Sequence, residues 1–134
     1  IVQCPCQSGQ RYVQCCRPFH DGKIAPTAEQ LMRSRYSAYA KQDAAYLHKT
    51  WHPTTRPPLK QLRQFDPSEW IGLIIMHTHQ GSEDDLYGTV EFITQYRAQG
   101  VGQSLDEISE LVRERGKWFY LKGKFSTTES EADN

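Results

Sequence analysis

The sequence predicts an α+β protein carrying a small cysteine-rich module at its N-terminal end. Three observations carry that expectation. All four cysteines fall between positions 4 and 16. Apolar residues recur at helical spacing from Ala28 to Trp51, and from Trp70 onward the spacing changes to the two-residue period of strands. Residues 1–25 therefore read as the module and its linker, residues 26–125 as the main domain, and residues 126–134, with Glu129, Glu131 and Asp133 and no base, as a disordered acidic tail.

The module contains Cys4-Pro5-Cys6 and Cys15-Cys16, separated by a stretch with a turn at Gly9. Four thiols this close in sequence suit a tetrahedral metal site, and Zn²⁺ takes four thiolates at about 2.3 Å without redox demands. A segment this short buries no core of its own, so metal binding would supply most of its folding free energy. Two other readings use the same residues. Disulfides would need an oxidising compartment, and a vicinal Cys15–Cys16 bridge is strained. A redox site would want Cys-x-x-Cys, whereas the spacing here is Cys-x-Cys. Structural zinc on Cys4, Cys6, Cys15 and Cys16 fits best, with His20 as a substitute for Cys16 because adjacent ligands constrain geometry. Arg11, Arg17 and backbone N–H groups are expected to offset the negative charge of four thiolates. Such a site is closed to substrate.

Residues 17–26 are rich in turn formers, with Phe19 and Ile24 expected to pin the module to the main body. Thr27-Ala28-Glu29-Gln30 has the form of a capping box, Gln30 reaching back to the N-cap N–H. Ala28, Leu31, Met32, Arg35, Tyr36 and Tyr39 then mark the buried stripe of a helix. Asp43 caps a second helix, with Ala44, Leu47 and Trp51 on one face and His52-Pro53 as its stop. Pro57-Pro58 introduces a third, whose Leu59, Leu62 and Phe65 face inward and which ends at Asp66-Pro67-Ser68. Residues 70–76 are apolar throughout and read as a central strand. Residues 80–85 form a polar turn. Val90, Phe92, Thr94 and Tyr96 alternate with Glu91, Gln95 and Arg97 in the next strand. A turn at 98–102, a strand over 105–115, a tight hairpin at Arg115-Gly116-Lys117 and a strand over 118–122 complete an antiparallel meander.

Sixteen basic and sixteen acidic side chains give a formal net charge of zero, which argues against a broad nucleic-acid-binding surface. Within residues 1–25, Arg11, Arg17 and Lys23 outnumber Asp21, so the cysteine end is mildly basic. No apolar run approaches the roughly 18 residues of a membrane span, and no secretory segment is visible. Reduced thiols and these absences together lead to the expectation of a cytoplasmic protein. The sequence begins at Ile1 rather than Met, so residues upstream are expected.

The run Cys-Pro-Cys-x-Ser-Gly-x-x-Tyr-x-x-Cys-Cys resembles the SEC-C zinc motif first known from the tail of the SecA translocation motor. Residues 31–39 (Leu-Met-Arg-Ser-Arg-Tyr-Ser-Ala-Tyr), Tyr46-Leu47 with Thr50-Trp51-His52-Pro53, and Trp70-x-Gly72-Leu73 are similar to the bacterial YchJ family, a resemblance that extends to about Phe125. Some members of that family carry a second SEC-C motif at the C-terminus, for which this sequence holds no cysteines. The resemblance implies a nuclear transport factor 2-like domain, in which a curved sheet wraps around the helices to form a cone. Domains of that type enclose an apolar pocket between sheet and first helix. Arg35, Tyr39, His52, Trp70 and His77 are the foremost candidates to line it, with Tyr36, His79, Asp106 and Glu107 behind them. Arg35 stands out, because an arginine within a buried stripe either holds a carboxylate or phosphate or pairs internally with Glu107 or Glu91. His77 and His79, two apart, face one side as a metal or acid/base pair.

SEC-C motifs elsewhere are implicated in contacts with chaperones, ribosomes or lipid head groups. A non-catalytic adaptor touching a protein or ribosome surface through the zinc motif is therefore the leading expectation, with a homodimer formed through the sheet. A small ligand or a reaction in the cone is the alternative. No nucleophile elbow or phosphate loop is present. An open pocket lined by Arg35 and a histidine would favour the alternative, and a cone filled with aromatic side chains would favour the adaptor.

Overall fold

The computed structural model describes residues 3–65 and 69–127. After a short 3₁₀ turn at Tyr12–Gln14 come four helices, α1 (Arg17–His20), α2 (Ala28–Lys41), α3 (Ala44–Lys49) and α4 (Leu59–Leu62). Four strands follow, β1 (Glu69–Gln80), β2 (Tyr87–Ala98), β3 (Val101–Glu114) and β4 (Lys117–Thr127), paired antiparallel in chain order. The α+β layout is the expected one. The helix stop at residues 66–68 and the tail from residue 128 lie outside the described residues.

The Thr27 hydroxyl starts α2 by accepting the Gln30 N–H at 3.2 Å, and donates its own proton to Gln30 Oε1 at 3.0 Å. Gln30 thus closes on the hydroxyl instead of on the backbone N–H. The helix ends at Gln42, whose N–H reaches the Tyr39 carbonyl at 3.1 Å and whose left-handed φ of 59° turns the Asp43 N–H back to the Ala38 carbonyl at 2.8 Å. Asp43 then caps α3 through the Tyr46 N–H at 3.1 Å. That helix stops before Trp51, because residues 50–52 turn to β4: Tyr120 N–H donates to the Thr50 carbonyl and His52 N–H to that of Tyr120, each at 2.8 Å. Trp51 therefore joins the sheet, and its ring meets that of Tyr120 edge-on at 4.9 Å. The third expected helix shrinks to the single turn of α4, with Phe65 beyond its end but still packed on the core.

Strand β1 is an edge strand and not the central one expected. Its apolar run has two fates. Leu73 and Ile75 point inward with Thr94 and Phe92, whereas Ile74 lies on the outer face opposite Ile93 and is 45% exposed. Bulges at Trp70/Gly72 and Ile75/His77 break the alternation and bend the strand. The turn between β2 and β3 contracts to Gln99 and Gly100, and that between β3 and β4 consists of Arg115 and Gly116; all four have positive φ, the requirement of a type I′ hairpin. Strand β4 runs past the expected 118–122 to pair along β3 as far as Leu105.

Leu31, Met32, Tyr36 and Leu47 pack on Val90, Phe92, Leu111, Trp118 and Tyr120 of the inner sheet face. Leu47, Val90 and Leu111 are fully buried, each contributing about 1.5–3 kcal/mol of transfer free energy. The cysteine segment joins this core through Phe19 and Ala25; Ile24, expected to serve as a pin, is 50% exposed. The Trp118 indole N–H also donates to the Pro26 carbonyl at 3.2 Å, tying the linker to β4. Among the described residues no helix is long and apolar enough to cross a membrane.

Candidate functional site

Left-handed turns at Gln7 and Gly9 fold the cysteine segment back on itself, and the Cys4 N–H donates to the Gln10 carbonyl at 2.9 Å. The 3₁₀ turn then delivers Cys15 and Cys16 to the same spot. All four Sγ atoms lie within 4.8 Å of one another, Cys6 and Cys15 at 3.6 Å and Cys15 and Cys16 at 3.9 Å. Four thiolates at about 2.3 Å from a tetrahedral ion stand about 3.8 Å apart, so the donor set fits such an ion with little rearrangement. The same separations are far longer than a disulfide bond of about 2.05 Å. Four close cysteines make a cluster consistent with zinc binding.

Helix α2 closes over the cluster. Ser37 Oγ is 3.4 Å from Cys4 Sγ, and Arg33 Nη1 donates to the Cys6 carbonyl at 2.8 Å with Cys6 Sγ at 4.0 Å. Ser8 Oγ sits 3.1 Å from Cys15 Sγ. The cation beside the sulfurs is thus Arg33; Arg11 and Arg17, expected in that role, are exposed, and Arg17 pairs with Asp21 at 3.5 Å. Without a metal, the Cys4 thiol is pushed down chiefly because the Cys16 and Cys6 thiols hold its thiolate. Cys16 is pushed up by that same bond to Cys4, and burial takes Cys15 up to about 11. A metal entering the cluster must therefore displace protons. His20 stands outside the donor set. Its Nδ1 accepts from the Tyr12 hydroxyl at 2.7 Å and its Nε2 donates to the Ser34 carbonyl at 2.8 Å, so neither ring nitrogen is left for a metal.

Between α2 and the inner sheet face lies a cavity of about 240 Å³. Tyr36, Tyr39, Trp51, Trp70 and Phe92 wall it, Arg35 and Glu107 supply its charged groups, and Phe125, 57% exposed, marks its mouth. Arg35 is only 2% exposed. Its Nη1 donates to the Leu47 carbonyl at 2.9 Å and Thr50 Oγ1 at 2.7 Å, and its Cζ lies 4.6 Å from the Tyr120 ring centroid and 5.1 Å from that of Trp51. Among the described residues no carboxylate comes within 4.0 Å of it. The internal ion pair expected for Arg35 is absent for two reasons. Glu91 lies on the outer face with Ile108, and Glu107, though in the cavity, accepts instead from Ser109 Oγ and, at 3.3 Å, from the Tyr120 hydroxyl. Burial pushes the Glu107 carboxyl up against those two bonds and pulls Arg35 down. Space for the carboxylate depends on Gly123, where any Cβ would collide with it.

Of the residues singled out in the sequence, Arg35, Tyr36, Tyr39, Trp70 and Glu107 share this cavity, whereas His52, His77, His79 and Asp106 do not. The bulge at Ile75/His77 sets His77 opposite Glu91 on the outer face, and His79 follows it. Asp106 faces Ile93 on that side too. His52 is buried at the far end of β4, its Nε2 donating to Glu114 at 2.9 Å and its Nδ1 accepting from Thr54. Trp51, Thr94, Leu105 and Tyr120 line the cavity without having been singled out; the alternation of β2 set Thr94 on one face with Val90 and Phe92, but only the register of β4 brings Tyr120 to Arg35.

Residues 27–123 match the family model described as YchJ, middle NTF2-like domain. A UPF0225 protein of Ralstonia nicotianae is 44% identical, covering 90% of this chain and 89% of its own length. One from Streptomyces coelicolor is 48% identical, over 91% and 94%. The solution structure of a SEC-C motif containing protein from Rhodopseudomonas palustris superposes with a TM-score of 0.81 at 36% identity, over 90% of this chain and 96% of that one. The crystal structure of a SEC-C motif containing protein from Psychrobacter arcticus gives 0.79 at 27% identity, over 93% and 83%.

Proposed function

The chain belongs to the YchJ family, and from that premise we propose that it is a small-ligand-binding protein whose N-terminal cysteines hold a structural zinc ion. The observation that carries this reading is the aromatic-walled cavity with a buried arginine that no carboxylate among the described residues approaches within 4.0 Å; the histidine expected beside it is not in the lining. An arginine that only stabilised the fold would be expected to meet an acidic partner. A mostly apolar enclosure with a few convergent polar groups is the usual form of a small-molecule site. Zinc is supported by the four-thiol donor set and by the SEC-C motif of the two structural neighbours. With all four positions taken by sulfur the ion would be closed to substrate and would serve to order residues 3–20. The test has two parts. Protein purified under reducing conditions without added metal should hold one zinc per chain, with four unreactive thiols. A fragment library of aromatic acids, amides and alcohols should then perturb the Trp51 and Trp70 indoles. Metal-free, reactive thiols would reject the zinc assignment, and silent indoles would reject the pocket.

The docking role anticipated for the cysteine module has its own support. Val13 is 49% exposed, and Arg11, Arg17 and Lys23 are exposed on the same short segment. Exposed cations and an exposed apolar residue on one segment suit an acidic protein or ribosomal surface. Cosedimentation with ribosomes, weakened by the double change Arg17→Glu and Lys23→Glu, is the expected result, and equal sedimentation of both forms would reject it. A homodimer through the sheet would cover the exposed Ile74 and Ile108 of the outer face, and light scattering at a single-chain mass would exclude it.

A further inference from the structure

The geometry points to a monocarboxylate with an apolar or aromatic body as the ligand of the cone, its carboxylate on the Nε–Nη2 edge of Arg35 and its body extending toward α4. This deepens the reading above and rests on it. Arg35 spends Nη1 on the Leu47 carbonyl and the Thr50 hydroxyl, while Nε and Nη2 have no hydrogen-bond partner among the described residues. That remaining edge presents two parallel N–H groups, the spacing that two carboxylate oxygens accept as a pair. A buried guanidinium does not give up its proton, so an arriving anion gains a direct ion pair that the described residues leave unmade.

The shape of the ligand follows from a second cavity, of about 410 Å³, that abuts the first. Tyr39, Trp51, Trp70 and Leu105 line both, forming a shared collar of three aromatic rings and one leucine. Beyond the collar, Leu62 and Phe65 offer apolar surface and Gln61 and Gln64 offer amides, all neutral. Charge recognition is thus confined to the inner chamber, and the outer one suits an uncharged body. Glu107 sets the charge count. Burial favours its protonated form, so Arg35 is the single full charge of the inner chamber; a monocarboxylate balances it one for one, whereas a dianion such as a phosphate monoester leaves one negative charge over and opposes any ionisation of Glu107.

The test uses the full chain with its zinc and four probes: phenylpropanoate, phenylpropanamide, phenyl phosphate and propanoate. Affinity is read by calorimetry and location by the indole N–H resonances of Trp51 and Trp70. Phenylpropanoate should bind at least about tenfold more tightly than the isosteric amide and the phosphate. Arg35→Met should erase the preference for carboxylate over amide while the amide still binds. Should that variant fail to fold, Leu105→Trp, which fills the collar, should weaken phenylpropanoate at least about tenfold and leave propanoate unchanged. Equal affinities for carboxylate and amide would overturn the inference and leave the pocket standing. Phosphate binding tighter than carboxylate would overturn the charge argument. Four probes that leave both indoles unmoved would overturn inference and pocket together.

Discussion

The cysteine cluster and the cone cavity are built on different faces of one helix. Arg33 and Ser37, one turn apart on α2, reach the sulfurs, while Arg35 and Tyr39, also one turn apart, line the cavity. Each region buries groups that water would solvate better, but with opposite sign. The cluster collects four donors that become anionic together and sets a guanidinium beside them. The cavity holds one guanidinium and sets aromatic faces around it, with its nearest carboxyl engaged by Ser109 and Tyr120. The first arrangement is drawn together by one small cation, with Arg33 beside it to offset part of the remaining negative charge. The second keeps its charge hydrogen-bonded on one edge only. A buried charge that the fold completes serves structure, and one that it half completes is a place for something to bind.

The largest effect that could break this contrast comes from Cys6→Ser. Zinc per chain should fall from one to none, and amides of residues 3–20 should lose hydrogen-exchange protection, because structural zinc supplies on the order of 10–16 kcal/mol in zinc-finger peptides. The sheet should keep its circular dichroism. A sheet that melts with the module would show that the two faces of α2 are one cooperative unit. Next comes Gly123→Ala, which drives a methyl group into Glu107 and the Tyr120 hydroxyl. It should cost about 1–3 kcal/mol in urea unfolding and leave zinc content untouched, and an unchanged midpoint would mean that the inner chamber is looser than its geometry.

Both regions depend on the start of α2, so Thr27→Ala sharpens the comparison from the other side. Loss of the cap should cost about 1 kcal/mol and lower the stability of module and cone alike. A change seen in only one of them would mark where α2 frays. The smallest effect concerns pH. The folded Glu107 carboxyl lies above its ordinary value of 4.5, mainly through burial. Its protonated form is therefore favoured by folding, and that contribution is complete below about pH 4.5 and lost as pH rises through the folded value. Glu107→Gln should remove this fall, so that the stability difference between variant and parent widens over that interval. A constant difference across it would contradict the burial of Glu107.

The sequence was most readable where one local rule decides the outcome. Thr27 and Asp43 mark the two helix starts by their capping chemistry, and Arg115-Gly116 marks a hairpin by the φ it needs. The cysteine spacing marked the cluster for the same reason, since four thiols within a short turn have few other arrangements. What the sequence concealed depends on pairing at a distance. Nothing local places β1 at an edge, since Ile71, Ile74 and Met76 are as apolar as a central strand would have them. One bulged residue carries His77 from the cavity to the outer face. Arg35 was recognisable as unusual from its buried stripe, but its partners, Thr50, Trp51 and Tyr120, are assembled only when the end of α3 meets β4.

The order of the sheet has a consequence for how the molecule is made. Strands that neighbour in space as they do in sequence, the last three joined by two-residue turns, keep most pairings short-range and lower the entropy lost in closing loops. As the chain leaves the ribosome, α2, α3 and the first three strands are available to associate before β4 is free. Trp118 and Tyr120 arrive with that final strand. Until then Arg35 has no Tyr120 ring over it, Glu107 has no phenol to bond, and the Thr50 carbonyl has no strand to meet. The inner chamber is thus completed only once β4 has emerged, and a chain cut short before Trp118 would expose its charged interior to the cell's proteases.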